Sequence, residues 1–445
     1  MTNDQQPMTK TNNARIPLMR SYILSTYLTL LFITAFLSAQ PPYSAWVLNT
    51  LGENVSMINL ENQSVISNAF GAGLYANQMK VRGERAYIVN SGLNAIQVVD
   101  LNTRTTLQTI NLGPGTNPWG MDFIDDQTAA VSLLFTNQVV FVDLPTGNTI
   151  HTVAVGNAPE DVKFHGGKVY VAISGYNGTG FDPGVVSVID PVSYTVAHVG
   201  VGVNPQGLDA DLQGNIVVAC SGDYASIEGR IDLIDPAAQT VIHSQSVTFG
   251  ITTVAVSGGN KAYFSTYSEG VLVYDLDSYS FERDENNPLP GGPAVAFDRD
   301  DAAYIGDFAR DSVYVYDPSH LRQHAFLVGD GPVSLAIFDP APSGLADGDD
   351  SAPEAFALYQ NYPNPFNPAT NFGFRISDFG FVNLNIFDTT GRKVTKLLAQ
   401  EMAPGEYELQ WDGRDDTGAP VASGVYFYQL SAGGQSAVRR MVLLR

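Results

Sequence analysis

One short sequence pattern recurs at a nearly fixed spacing through the first three quarters of the chain. Each copy is an apolar segment that ends in Asp or Asn and is followed by Leu or Pro, and successive copies are 41, 43, 47, 45, 40 and 42 residues apart. This period is typical of a four-stranded propeller blade. The sequence therefore predicts an all-β chain that begins with a seven-bladed β-propeller. The seven copies end at Asn59, Asp100, Asp143, Asp190, Asp235, Asp275 and Asp317.

Within one unit, apolar segments separated by Gly- and Asn-rich turns predict four short strands, here residues 86–90, 95–100, 105–111 and 119–123. The recurring acid comes at the end of a strand, where its carboxylate can accept N–H bonds from the turn that follows. We expect all seven anchors to cap turns, because a catalytic group would not recur in every unit.

The phase of the repeat predicts how the ring closes. The first unit starts at residues 45–49 without a preceding inner strand, and residues 333–338 form an inner strand with no blade after them. We therefore expect the last strand to complete the first blade. Such a join removes the open sheet edges that would otherwise invite aggregation.

The repeat units carry motifs of a known family. They contain Ala-Tyr-Ile-Val-Asn at residues 86–90, then Val-x-Val-x-Asp, then Val-Gly-x-x-Pro at residues 155–159. Over residues 45–338 the chain resembles the YVTN family of β-propeller repeats. That resemblance implies an exported or surface-layer protein. Similar propellers also occur as lactonases and as quinoprotein dehydrogenase subunits, so the resemblance leaves the function open.

The innermost strands predict a charged channel. At the position expected to face the channel axis, successive blades carry Lys80, Asp122, Lys163 and Asp209, and the remaining three carry alanine. The alternating signs favour a structural ladder of ion pairs, because pairing is how charges tolerate burial. A small polar ligand bound at the channel mouth is the alternative.

Where the strands enter the channel, the residues differ from blade to blade. Trp119, Glu160, Asp161 and Gln206 follow prolines at these entrances, and an aromatic ring beside acid and amide groups could bind a sugar or a peptide. The longest loop insertion, residues 174–183, adds two aromatic residues. It is interpreted as a tolerated insertion or as a contact surface.

No enzymatic motif is found, so no catalytic residue, metal site or cofactor is predicted. His151, His198 and His243 recur eight residues after their anchors, which predicts outer strands too far apart to share one metal ion. Cys220 lies in an apolar run and is predicted to be a buried, inert thiol. The acidic loops 298–301 and 347–350 are interpreted as solvated turns rather than calcium sites.

The N-terminus and the net charge indicate export. Lys10, Arg15 and Arg20 precede an apolar run and the small residues around Ala39, which is the pattern of a cleaved secretory signal over residues 1–39. An uncleaved anchor is the alternative, although the run is shorter than a spanning helix and no later segment comes close. The net charge of −22 argues against nucleic-acid or anionic-membrane partners.

A second domain follows a linker predicted at residues 339–355. Residues 356–445 carry equal numbers of basic and acidic residues and read as short strands of a small Ig-like β-sandwich. Their motifs resemble the type A sorting domain of proteins exported by type IX secretion, which implies passage across the outer membrane with the secretion machinery as partner. The sorting motif consists of Tyr362, Pro363, Asn364, Pro365, Phe366, Asn367 and Pro368. An ordinary adhesive Ig-like module is the alternative.

Together these features predict a propeller over residues 40–338 that acts as a binding or scaffold module, secreted or displayed at the outer cell surface. Its ligand would be an extracellular protein or glycan, and no transmembrane segment is expected in the mature chain. Two alternatives stay open. One is a lactonase-type hydrolase with a metal at the channel mouth, and the other is a structural envelope component.

Overall fold

The protein is described here by a computed structural model that covers residues 41–266 and 269–340, and then 356–358, 361, 366–376, 380–388, 392–402, 405–432 and 435–444. Every regular element in these residues is a β-strand. The described residues contain no helix with the length and apolar character needed to cross a bilayer. The prediction of an all-β chain is confirmed.

Among the described residues, those between 44 and 338 form seven four-stranded antiparallel sheets, which we call blades. Blade 1 consists of β28 (Pro332–Phe338), β1 (Ser44–Asn49), β2 (Asn54–Asn59) and β3 (Val65–Gly71). Blade 2 has β4 (Ala76–Arg82), β5 (Arg85–Asn90), β6 (Ala95–Asp100) and β7 (Thr105–Asn111), and blade 3 has β8 (Pro118–Phe123), β9 (Thr128–Leu133), β10 (Gln138–Asp143) and β11 (Asn148–Ala154).

The remaining blades repeat this order, with the innermost strand first. Blade 4 has β12 (Pro159–His165), β13 (Lys168–Ile173), β14 (Val185–Ile189) and β15 (Val196–Gly200). Blade 5 has β16 (Pro205–Ala210), β17 (Ile216–Cys220), β18 (Gly229–Asp235) and β19 (Thr240–Val247). Blade 6 has β20 (Ile251–Val256), β21 (Lys261–Thr266), β22 (Val271–Asp275) and β23 (Ser280–Arg283), and blade 7 has β24 (Val295–Phe297), β25 (Ala303–Asp307), β26 (Ser312–Tyr316) and β27 (Arg322–Leu327).

The ends of this region meet in one sheet. Strand β28 pairs antiparallel with β1, from Ser44 opposite Phe338 to Asn49 opposite Pro332. The last strand of the propeller region thus supplies the innermost strand of blade 1. Backbone groups at the edge of β1 are satisfied by this pairing, which joins both ends of the ring.

The hydrophobic core lies between neighbouring blades. Trp46 and Leu48 of blade 1 pack with Met79 and Ile88 of blade 2, and equivalent clusters follow between each successive pair of blades. Blade 7 then packs on the opposite side of blade 1, where Tyr304 meets Val47. The central strands are buried on both faces, which explains why they read as short continuous apolar runs rather than as alternating ones.

All seven anchor residues cap turns, as the repeat predicts. The side chain of Asp100, for example, accepts a hydrogen bond from the N–H of Thr103 at 2.8 Å, and Asp143 does so from Thr146 at the same distance. The hydroxyl and the N–H of Thr146 both stabilise the charged carboxylate and lower the pKa of Asp143. The other five anchors accept equivalent bonds: Asn59, Asp190, Asp235, Asp275 and Asp317.

The C-terminal domain consists of two sheets. One contains β29 (Phe356–Leu358), β30 (Thr370–Ile376) and β33 (Gly405–Trp411), and the other contains β32 (Lys393–Met402), β31 (Gly380–Asp388), β34 (Gly424–Ala432) and β35 (Gln435–Leu443). Alternate residues of β30 and β34 are buried in one shared apolar cluster. This arrangement is the sandwich that the alternating sequence predicts.

Part of the proposed sorting motif belongs to this core. Phe366 is buried, packs on Trp411 and exchanges backbone hydrogen bonds with Val442 and Leu444 at the end of the chain. Asn367 and Pro368 are exposed. The other motif residues, Tyr362, Pro363, Asn364 and Pro365, lie outside the described residues, as do the signal region 1–39 and most of the predicted linker.

Candidate functional site: the channel and its entrance

The charged residues of the innermost strands meet in pairs across blade boundaries. Lys80 of blade 2 lies 2.6 Å from Asp122 of blade 3, and Lys163 of blade 4 lies 2.9 Å from Asp209 of blade 5. Asp122 is buried, and the side chains of Lys80, Lys163 and Asp209 are mostly buried. The alternation of signs therefore corresponds to ion pairs that join blade 2 to blade 3 and blade 4 to blade 5.

Each of these aspartates also binds the next blade. The second carboxylate oxygen of Asp122 accepts the N–H of Phe164 at 2.8 Å, and that of Asp209 accepts the N–H of Val256 at 2.6 Å. An innermost strand has a free edge, so its N–H groups need acceptors. The channel aspartates supply them, and they thereby fasten blade 3 to blade 4 and blade 5 to blade 6.

A third acid, Asp161, joins this network through contacts that the sequence does not predict. Asp161 of blade 4 accepts a bond from the N–H of Leu208 of blade 5 at 3.0 Å and one from the side-chain amide of Gln78 at 3.1 Å. Gln78 belongs to blade 2, so the contact passes over blade 3. It can do so because blade 3 has Gly120 at the equivalent position.

Replacing Gly120 by alanine is expected to destabilise the propeller by about 1–3 kcal/mol, the usual range for overpacking. An added Cβ would lie 2.8 Å from the carbonyl oxygen of Glu160 and 2.9 Å from the Cα of Asp161, both of them backbone atoms of the next blade. The control is Gly200→Ala, because nothing lies within 4 Å of a Cβ there. Urea unfolding of the full chain measures both. Equal stability losses in the two variants would contradict the close approach.

The predicted entrance residues lie on β-bulges. The strand register shifts between Pro118 and Met121, between Pro159 and Val162, and between Pro205 and Gly207. Bulges re-aim side chains and are common next to functional sites. They give Trp119, Glu160 and Gln206 equivalent positions at the entrance of three consecutive blades. Trp119 keeps 36% of its surface exposed.

The entrance acids are held in a poorly hydrated environment. Burial raises the pKa of Glu160 to about 8, although a hydrogen bond with Ser174 opposes the shift and nearby Asp161 adds to it. Burial also raises the pKa of Asp161, against the attraction of Lys80. Glu160 is therefore mainly protonated at neutral pH and can donate a hydrogen bond as well as accept one.

The long loop between β13 and β14 is an ordered structure. Tyr176 and Phe181 form a bridge and their rings lie 5.5 Å apart, while Asp182 accepts bonds from Asn157 and Asn177. The ring of Phe181 also packs edge-on against the ring of Tyr224 of blade 5. The hydroxyl of Tyr224 accepts a hydrogen bond from the side chain of Gln206. The loop thus links the entrances of blades 4 and 5.

The other predicted features lie away from the channel. His151, His198 and His243 belong to the outermost strands β11, β15 and β19, as their spacing predicts. Cys220 is fully buried, and burial raises the pKa of its thiol, as expected for an inert cysteine. In the acidic loop 298–301, Asp298 and Asp301 accept N–H bonds, including those of Gly258 and Gly259 in the neighbouring blade. In the part of the chain that the structure describes, no cluster of three potential metal-binding side chains is present.

Two sets of interactions in the propeller were not predicted. Hydroxyl groups at the ends of second strands donate to the entrance carbonyls of the next blade: Ser91 to Pro118, Ser132 to Glu160, Ser221 to Ile251 and Ser265 to Pro293. In blade 5, a fully buried carboxylate at Asp232 binds Arg230, Ser244 and the N–H of Gly202. Ser91 and Ser221 directly follow their second strands, whereas Ser132 and Ser265 lie inside theirs, so the serines occupy two different positions of the repeat and no single repeated position pointed to them.

Comparisons with known proteins agree with both parts of the fold. A family model described as the FlgD Ig-like domain matches residues 365–436. No curated protein shows a significant match to the chain. A functionally unknown protein from Desulfotomaculum acetoxidans DSM 771 is 13% identical with a TM-score of 0.53, covering 67% of this chain and 99% of its own.

Two further solved structures are similar over 59% of this chain. They are the hydrazine synthase of Kuenenia stuttgartiensis, with 17% identity, a TM-score of 0.50 and 89% of that chain covered, and the β-propeller domain of Cps50 (Swd1) from Myceliophteria thermophila, with 13% identity, a TM-score of 0.46 and 88% covered. At such identities, the likenesses with TM-scores of 0.50 and 0.53 show the fold alone. The chain is an all-β protein in which a β-propeller precedes an Ig-like domain, an architecture suited to binding or scaffolding.

Proposed function

We propose that the propeller is a binding or scaffold module that works at the outer cell surface or in the medium. The main support is how the channel acids are used. Asp122, Asp161 and Asp209 each bind backbone N–H groups of the neighbouring blade, so they serve the frame of the ring. A partly exposed aromatic side chain, that of Trp119, lies at the entrance instead, and Glu160 and Gln206 occupy the equivalent positions of the next two blades.

We further propose that the C-terminal domain is a sorting module for type IX secretion and that the repeats belong with the YVTN propellers. The support is the sequence resemblance, together with the Ig-like sandwich that follows the propeller. The exposed Asn367 and Pro368 leave part of the motif accessible to a receptor, whereas Phe366 is used to hold the motif against the last strand.

The masses of the native protein test this destination. We expect the form from the outer membrane or the culture medium to begin near Gln40 and to lack the residues after about Ala355. The reason is that the signal peptide and the sorting domain would both be cleaved off after export. Intact-mass measurement and peptide mapping of both fractions give the result. A mature form that keeps residues 356–445 would contradict processed sorting and would favour the adhesive alternative.

A further inference from the structure

The entrance side of the propeller divides into an uncharged sector and an acidic sector. Two kinds of loop form this side. One kind leads into the innermost strand of each blade, and the other joins the second strand of a blade to its third strand. Five consecutive loops of blades 2 to 4 contain no charged residue, and we call them the apolar arc: residues 72–75, 91–94, 112–117, 134–137 and 155–158.

Large apolar side chains project from this arc. Tyr75 and Phe135 keep 66% and 69% of their surface exposed, Leu93 keeps 52% and Leu74 keeps 41%. Trp119 stands at the inner edge of the same arc. Single exposed apolar residues are ordinary on a protein surface, but a contiguous group of them marks an interaction site.

Hydrogen bonds show that the loops of the arc are neighbours. The N–H of Gly92 binds the carbonyl of Leu74, the side chain of Asn94 accepts the N–H of Asn117, and the N–H of Phe135 reaches the carbonyl of Thr116. The side chain of Asn137 continues the series by accepting the N–H of Ala158. The exposed side chains are therefore carried on one connected, well-anchored strip.

Acids border the strip at both ends. At one end, the carbonyl of Glu53 accepts the N–H of Ala72, which places this exposed glutamate beside the first loop of the arc. At the other end, the carboxylate of Asp182 accepts a bond from Asn157 in the last loop. The rest of the same side carries further exposed acids, among them Glu228, Asp284 and Asp330, together with the exposed Arg310, which pairs with Asp307.

We propose that the apolar arc binds a protein segment with apolar or aromatic side chains in its centre and lysine or arginine at its ends. This inference rests on the proposed binding function and names its surface and the chemistry of its partner. Aromatic anchors buried in the centre of an interface supply most of the affinity, and opposite charges at the border fix register and speed association. A basic segment also suits the net charge of −22.

The test is a selection of random displayed peptides on the purified full chain, followed by affinity measurements with the enriched peptides. We expect a consensus of apolar and basic residues, and about tenfold weaker binding to Tyr75→Ser and to Phe135→Ser. Binding to Glu53→Gln should fall less and should lose part of its salt dependence. The matched control is Leu212→Ser, because Leu212 is 64% exposed on the opposite side of the ring.

Several outcomes would overturn the proposal. These are the absence of any enriched peptide, a consensus without basic or apolar residues, and an equal loss of binding in Leu212→Ser. Binding of glycans alone, abolished by Phe135→Ser, would assign the arc to sugars. A dimer that dissociates in Phe135→Ser would assign it to a second copy of the chain. Because the test uses purified protein, its failure is distinct from a failure of the proposed export, which the native masses report.

Discussion

Replacing Asp232 by alanine is expected to lower the free energy of unfolding by about 2–4 kcal/mol, somewhat less than for a fully buried ion pair because the side chain of Arg230 is 38% exposed and can be rehydrated. Its carboxylate is fully buried within blade 5. It accepts bonds from the Nη2 of Arg230 at 2.7 Å, from the N–H of Gly202 at 2.7 Å and from the hydroxyl of Ser244 at 2.5 Å. Alanine would leave three donors without an acceptor, and each lost partner of a buried polar group is costly.

The control is an ion pair of the same chemistry at the surface. Arg82 lies 3.0 Å from Asp126, whose side chain is 79% exposed. Exposed pairs contribute at most about 1 kcal/mol, so Asp126→Ala should change the stability little. Urea unfolding of the full chain, followed by tryptophan fluorescence, compares the two variants. If Asp232→Ala were as stable as Asp126→Ala, the network around Asp232 would not hold blade 5 together.

The second large effect is a pH dependence that originates at Glu160. Burial raises the pKa of this carboxyl from 4.5 to about 8, so the folded protein binds a proton more tightly there than the unfolded chain does. Its contribution is therefore most favourable below pH 4.5 and is lost as the pH rises towards 8. At about 1.4 kcal/mol per pKa unit the upper limit is about 5 kcal/mol, and partial exposure reduces our expectation to about 2–4 kcal/mol.

Glu160→Gln tests this directly, because glutamine keeps the hydrogen-bonding shape and cannot ionise. The stability of the variant relative to the natural protein should rise by that amount between pH 5 and pH 9. Asp161 is present in both proteins, so its own titration largely cancels from the comparison. In the control Glu61→Gln, which removes an exposed acid, the difference from the natural protein should stay nearly constant. A constant difference for Glu160→Gln as well would rule out the proposed cause.

Much of the fold could be predicted from the sequence, because each copy of the repeat indicates where a strand ends and a turn begins. The anchors from Asn59 to Asp317 each follow a short apolar strand, and a carboxylate or amide in that position has one nearby use, which is to cap the turn. The same reasoning placed His151 and its equivalents on outermost strands. Strand alternation in the last 90 residues likewise indicated a sandwich.

The details of the channel could not be predicted, because they depend on residues that break the repeat. Alternating charges suggested pairs but could not show that Asp122 also binds an N–H group of blade 4. The contact between Gln78 and Asp161 requires a glycine in the blade between them. Asp232 lies two residues after Arg230, in the strand that ends at the anchor Asp235. The repeat identified only Asp235 in this strand, so no local pattern indicated that Asp232 is buried.

The pairing of β28 with β1 also sets an order of events for a newly made chain. The ring cannot close before residues 332–338 are available, however early the other blades assemble. Contacts between such distant parts of a sequence form slowly, because a long loop must be closed first. The C-terminal domain starts fewer than twenty residues after the closing strand. A chain that has produced this domain therefore already holds every strand of the ring, so the folded domain can act as a marker that the ring is complete.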